Sequence, residues 1–219
     1  MIGSVRIEYN TVEYKKNFPI SSYNSLNIYF SLTEKVPDSV RGELFYENNN
    51  WKFSLKDRGK EITTKLIATN DCKKIVLILE SPHKDEYDKE FHPILPAQGS
   101  TGKHIDSKLI ERDFVKILDK KNKYIVLLVN PVQFQASCHH QLDKEKLHCN
   151  RKLTIMVFRL LFGVRGANLR KDFINRLKKY SPDIIVNCST YAVKNIVQTA
   201  IKEAGYGDNI LQDKHPSVW

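Results

Sequence analysis

The chain has 219 residues, 41% of them hydrophobic, and a formal net charge of +10. That is enough apolar material for a core. No apolar run reaches the roughly 18 residues that a membrane helix needs, so no membrane partner is expected. Four cysteines at uneven spacing (Cys72, Cys138, Cys149, Cys188) argue against a disulfide framework. Reduced thiols in a cytoplasmic protein are the simpler expectation, and the first residues lack the charged-then-apolar layout of a secretory leader. The positive excess suits a polyanion as partner.

Residues 1–70 are read as a β-rich N-terminal extension, either an appendage or extra strands laid on the main domain. Val5 to Val12, Ser25 to Leu32, Gly42 to Tyr46 and Trp51 to Leu55 carry the β-branched and aromatic residues of strands. Asn48-Asn49-Asn50 is a hairpin connection between the last two. Residues 71–219 read as an α/β domain, with a central, mostly parallel sheet flanked by helices on both faces. Ile75 to Leu79 is an unbroken apolar run, the mark of a strand buried on both sides. A long connection holding Pro93 and Pro96 follows. Ser100 or Thr101 then caps a helix expected to run to Leu118. Tyr124 to Val129 is the second buried strand, followed by a polar loop, Gln133 to Gln141, and a helical stretch over Asp143 to Phe162. A basic amphipathic helix spans Ala167 to Tyr180. Asp183 to Val186 is the third strand, a helix occupies Thr190 to Ala204, and Ile210-Leu211 is a short last strand.

Each buried strand ends on polar residues. Glu80 follows the first, before Ser81-Pro82. Asn130 follows the second, before Pro131, and Asn187-Cys188-Ser189-Thr190 follows the third. If these strands are parallel neighbours, Glu80, Asn130 and Asn187 share one sheet edge, where open α/β sheets place ligand chemistry. Ser100, Thr101 and Gly102 at a helix start, with Lys103 beside them, offer N–H groups to a phosphate, and Ser189-Thr190 offers a second such cradle. Ordinary helix capping explains the same residues equally well. Arg165, Arg170, Lys171, Arg176, Lys178 and Lys179 form a basic stretch that is either a DNA-backbone contact or a solvated face. Cys138, His139, His140, His148 and Cys149 have the chemistry of metal ligands but not a recognised spacing, so no metal and no cofactor are expected.

The chain from about Cys72 to Trp219 resembles the uracil-DNA glycosylase superfamily. Leu79-Glu80-Ser81-Pro82-His83 stands where one branch has G-E-A-P-G, and Gly99 to Leu109 stands at its glycine pair and helix. Leu127-Leu128-Val129-Asn130 is similar to its L-L-L-N, and His215-Pro216-Ser217 to its H-P-S. The resemblance implies a monofunctional DNA glycosylase, acting as a monomer on DNA. Glu80 would stabilise the sugar cation and orient water, and His215 would take up charge on the departing base. Asn130 would read the base edge, with His83 and Ala97 beside it, and Ser217 would join the phosphate contacts. Ala97 falls where the family places its stacking aromatic, which implies a roomier pocket or an aromatic from Phe91 or Phe134. A bulky modified base, of the kind excised in defence against phage, is therefore expected, with uracil repair as the alternative. Beyond Pro216-Ser217, only Val218 and Trp219 could wedge into a duplex. Asp85 and Glu86 are the competing carboxylates. Two other classes remain: an inert relative that binds DNA or a nucleotide, and a hydrolase with Ser81 or Cys188 as nucleophile, which lacks a G-x-S-x-G elbow.

Overall fold

A computed structural model describes residues 2–9, 12–19, 27–31, 35–60, 62–63, 71–90, 92–134, 151–163, 168–207 and 210–219. Strands β1 (Ile2–Tyr9), β2 (Val12–Pro19) and β3 (Asn27–Ser31) form a sheet of their own in the order β2-β1-β3. The single strand expected over Val5 to Val12 is instead divided between β1 and β2. They pair antiparallel with Tyr9 opposite Val12, and β3 runs parallel to β1.

The second sheet has six strands: β4 (Ser39–Glu47), β5 (Asn50–Ser54), β6 (Lys73–Ile78), β7 (Tyr124–Val129), β8 (Ile184–Asn187) and β9 (Ile210–Gln212). Their order is β5-β4-β7-β6-β8-β9. Strands β7, β6, β8 and β9 are parallel neighbours, and the β4–β5 hairpin adds antiparallel to β7, so the sheet is mixed. Of the two placements open for residues 39–54, extra strands on the main sheet is the one adopted. Asn48 and Asn49 turn this hairpin with φ of 52° and 63°, the left-handed pair that a two-residue connection needs and that asparagine tolerates.

Alternation along β6 and β7 divides the core. Val76, Ile78, Ile125, Leu127 and Val129 face α3 (Arg151–Phe162), α4 (Leu169–Tyr180) and α5 (Tyr191–Glu203), through Phe158, Phe162, Phe173, Leu177, Val193 and Val197. Ile75, Leu77, Leu79, Val126 and Leu128 face the other way, onto α1 (Ser100–Lys108) and α2 (Asp113–Lys116), through Ile105, Leu109, Phe114 and Val115. Helices thus cover both faces, and burial of each large apolar side chain contributes about 1.5–3 kcal/mol.

The helix expected from Ser100 to Leu118 is broken. After α1 comes a 3-10 turn at Leu109–Glu111, and Arg112 is extended at φ −73° and ψ 145° before α2 begins. The Arg112 guanidinium pairs with Asp213, at 2.8 and 2.5 Å, a bidentate tie between distant segments that fixes Arg112 at the break in the helix.

Candidate active site

Because β7, β6, β8 and β9 are adjacent and parallel, the residues beyond their carboxyl ends emerge at one edge. They are Asn130, Glu80, Thr190 and His215, in that spatial order. Backbone pairing continues past the strands: Leu79 N–H donates to Val129 O (3.0 Å), Cys188 N–H to Ile78 O (2.9 Å) and Asp213 N–H to Asn187 O (3.2 Å). Val132 N–H also reaches Glu80 O at 3.4 Å.

Glu80 is half-buried. The Thr190 hydroxyl donates to its Oε2, which orients the carboxylate from the neighbouring strand end. Asn187, expected at the same edge, turns back into the protein. Its Nδ2 donates to Lys194 O and Gln198 Oε1, and its Oδ1 accepts from the Ser189 backbone and hydroxyl (2.6 Å). Ser189 is buried, so neither hydroxyl of the expected Ser189-Thr190 phosphate cradle faces outward without a protein partner.

Asn130 is 1% exposed. Its backbone N–H donates to Asp38 Oδ1 at 3.2 Å, and its carbonyl accepts from Arg176 Nη2 at 3.0 Å. Its side-chain Oδ1 is buried with no protein donor, an arrangement that ordinarily costs about 1–3 kcal/mol and is rare without a reason. Behind it, Arg176 also holds Pro131 O, Asp172 and Asp38, and Tyr180 donates to Asp38 at 2.9 Å. Burial lowers the Arg176 pKa, but the carboxylates of Asp38 and Asp172 more than offset it, and the net shift is upward. Burial is also the first cause that pushes the Tyr180 phenol up, with Asp38 next. Arg176 therefore locks a strand end from inside, a place that neither alternative for the basic stretch, DNA-backbone contact or solvated face, gives it.

His215 is half-buried, at the start of a 3-10 turn, Pro216–Val218. Burial, then the nearby Lys194 charge, holds its pKa down to about 4. Its Nδ1 accepts from Ser217 N–H at 3.3 Å and lies 2.9 Å from Ser217 Oγ. A neutral ring accepting at Nδ1 carries its proton on Nε2. Ser217, expected at a phosphate, is thus occupied with His215. The segment is pinned from α1: His104 Nδ1 donates to Pro216 O (2.9 Å) and Lys108 to Trp219 O (2.7 Å). Trp219 is buried, donates its indole N–H to Lys214 O, and stacks under Arg112 at 5.1 Å. Trp219 is an anchor and not a wedge; Val218, 65% exposed, keeps the outward position.

The loop between β6 and α1 departs most from expectation. Ala97 has no exposed surface and φ of 55°, so it cannot touch a base in this conformation. Its carbonyl accepts from Arg41 Nη1 at 3.2 Å. Arg41 sits in a bulge of β4 between Val40 and Gly42, which redirects it into the interior. There it also holds Gly102 O (2.8 Å) and both oxygens of Asp106 (2.7 and 2.6 Å). A Cβ on Gly102 would lie 1.8 Å from Ala97 O and 2.7 Å from Arg41 Nη2. Gly102 is therefore glycine for packing and not for phosphate approach. At the same helix start, a Cβ on Gly99 would lie 2.5 Å from Asp85 Oδ2, so a carboxylate already stands where a phosphate was expected. Ser100 and Lys103 are exposed and Thr101 half-buried.

Glu86 is 4% exposed with Oε2 unpartnered. Burial pushes its carboxyl up to about 8, against the backbone N–H groups of Ala97 and His83. It reads as a neutral strut inside the loop. His83 is exposed beside Asp85, whose backbone N–H faces its Nδ1 at 3.4 Å. Phe134 is buried, and Phe91 lies outside the described residues.

Of the basic stretch, Arg176 is internal and Arg170 pairs with Glu203. Lys171, Lys178 and Lys179 are exposed, and Arg165 lies outside the described residues. So do Cys138, His139, His140, His148 and Cys149. Cys188 is fully buried, and that burial pushes its thiol far up, which removes it as a nucleophile. Among the described residues no helix is long and apolar enough to cross a membrane. No protein-family model, no curated protein and no solved structure matches the chain.

Proposed function

We propose that the protein is a monofunctional DNA glycosylase that hydrolyses the bond between a nucleobase and its sugar. The observation that carries this reading is that Asn130, Glu80 and His215 follow parallel strands of one sheet and emerge at the same edge. As the N-glycosidic bond breaks, its electron pair leaves with the base and C1′ becomes cationic. The Glu80 carboxylate, oriented by Thr190, stabilises that cation and takes a proton from the attacking water, whose oxygen bonds to C1′. His215, neutral above about pH 4 with its proton on Nε2, donates a hydrogen bond to the departing base. Asn130 is 1% exposed with its Oδ1 unpartnered, so it reads an extruded base only once the residues that cover it move aside, and Oδ1 then accepts from a base N–H.

Nothing in these steps calls for a metal or cofactor, and DNA as partner agrees with the +10 charge. A base with a bulky modification is the substrate this reading favours, with uracil as the alternative that the same assay decides. Abasic sites, scored by alkaline strand cleavage on DNAs carrying different bases, are the test. The wild type is expected to form them on at least one DNA, and the Glu80→Ala, Asn130→Ala and His215→Ala variants far fewer. Equal activity in all three would overturn the roles assigned to these side chains. DNA retarded on a gel yet left intact would make the protein a binder only.

A further inference from the structure

Arg112 stands at the break between α1 and α2 and reaches both flanks of the segment that carries His215. On one side its guanidinium holds the Asp213 carboxylate at 2.8 and 2.5 Å. On the other it lies 5.1 Å from the centre of the Trp219 ring. The Asp213 side chain is 9% exposed, so this ion pair is mostly out of water, and its Oδ1 also accepts from Lys214 N–H at 2.7 Å. Between the two points of attachment the segment closes on itself. Trp219 Nε1 donates to Lys214 O (2.9 Å), and Val218 N–H donates to His215 O (3.0 Å). His104 and Lys108 add one hydrogen bond each, both to backbone oxygens.

We propose that Arg112 is a positioning residue for His215: one guanidinium clamps Asp213 and Trp219 and thereby fixes the imidazole at the sheet edge. The inference rests on the role given to His215 above. A donor stabilises developing charge most when it is already in place, and a misplacement of about 1 Å can cost about 100-fold in rate. Arginine suits the task because its planar fork takes both carboxylate oxygens while its face stacks on an aromatic ring. The single ammonium of lysine cannot do both at once.

The test is single-turnover base release by the full chain, on a DNA from which the wild type releases a base. Wild type, Arg112→Lys, His215→Ala and the double variant are compared. Arg112→Lys is expected to slow the chemical step about 10- to 100-fold, with the half-saturating DNA concentration changed by less than about 2-fold. In the His215→Ala background the same substitution should cost nothing further, because Arg112 acts through the imidazole. An equal loss in both backgrounds makes Arg112 a general support of the fold and overturns the proposal. An NMR titration reads the clamp without any activity. Once loosened, the ring gains water, and its midpoint in Arg112→Lys should rise from about 4 toward the ordinary 6.5. An unmoved midpoint overturns the clamp. A wild type that releases no base overturns the glycosylase reading and leaves the clamp to be decided by the titration. If Arg112→Lys does not fold, Asp213→Asn, which loosens the same ion pair from the other side, is read in the same way.

Discussion

At the scale of single residues, environment separates two carboxyl groups and assigns them different tasks. Glu80 is half-buried and oriented by a hydroxyl, whereas Glu86 is buried, faces two backbone N–H groups and is pushed up to about 8. Removing the first should cost chemistry. Glu80→Gln is expected to lower the rate of the proposed reaction by about 100- to 10,000-fold at unchanged melting temperature, checked by single-turnover kinetics. Removing the charge of the second should change stability. A carboxyl whose pKa is higher folded than unfolded favours the folded state least at high pH, and stability is lost as pH rises from the ordinary glutamate range through about 8. Glu86→Gln should therefore gain in melting temperature relative to wild type at about pH 9 compared with about pH 6. A constant difference would contradict the buried neutral strut. His215 has the opposite sign. Its folded pKa of about 4 lies below the ordinary imidazole value of 6.5, so the unfolded chain binds the proton first and stability rises as pH climbs through that window. An NMR titration should find the His215 ring neutral down to about pH 4, protonated on Nε2. A midpoint near the ordinary value would contradict it.

The strand ends that carry Glu80 and Asn130 were legible in the sequence because an apolar run ending on a polar residue marks both the strand and its end, whereas His215 was singled out only by the His215-Pro216-Ser217 motif. Asp38, Arg41 and Arg176 were not legible in it. Their partners lie 92 and 138 positions away for Asp38 and 65 for Arg41, and no local pattern distinguishes a charged residue that turns inward. Arg176 has the same spacing as its exposed neighbours on α4, and Arg41 looks like the polar half of an alternating strand.

At the scale of elements, those inward charges set how loops meet the sheet. Arg176 fixes β7's end to α4, so Arg176→Met should destabilise the fold by about 3–5 kcal/mol in chemical denaturation, since it leaves Asp38 buried and unpaired. Adding Asp38→Asn should recover part of that loss. If Arg176→Met costs no more than a surface substitution, the Arg176–Asp38 ion pair does not lock the strand end. Gly102→Ala places a methyl against Ala97 O and Arg41, and a loss of about 1–3 kcal/mol is expected. The order of elements from β6 to β9 could be foreseen from periodicity. The break at Arg112 could not, and the partner that holds Arg112 there, Asp213, is 101 residues away. Nor could the hairpin's place on the main sheet, since strand neighbours are chosen by packing and not by local propensity.

At the scale of the whole molecule, four adjacent parallel strands bring distant parts of the chain to one edge, and helices pack on both faces of the sheet. Part of the positive charge is turned inward, where Arg176 and Arg41 pair with carboxylates, while Arg58, Arg159, Lys171, Lys178 and Lys179 are exposed. Whether that edge cuts a nucleobase from its sugar decides every role assigned to its side chains. The most direct measurement is mass spectrometry of the free bases released from genomic DNAs of known modification by the wild type and by Glu80→Gln. The wild type should release a free base from at least one DNA, and the variant at most about a hundredth as much. No free base from any of them, or equal release by both proteins, would contradict the glycosylase assignment.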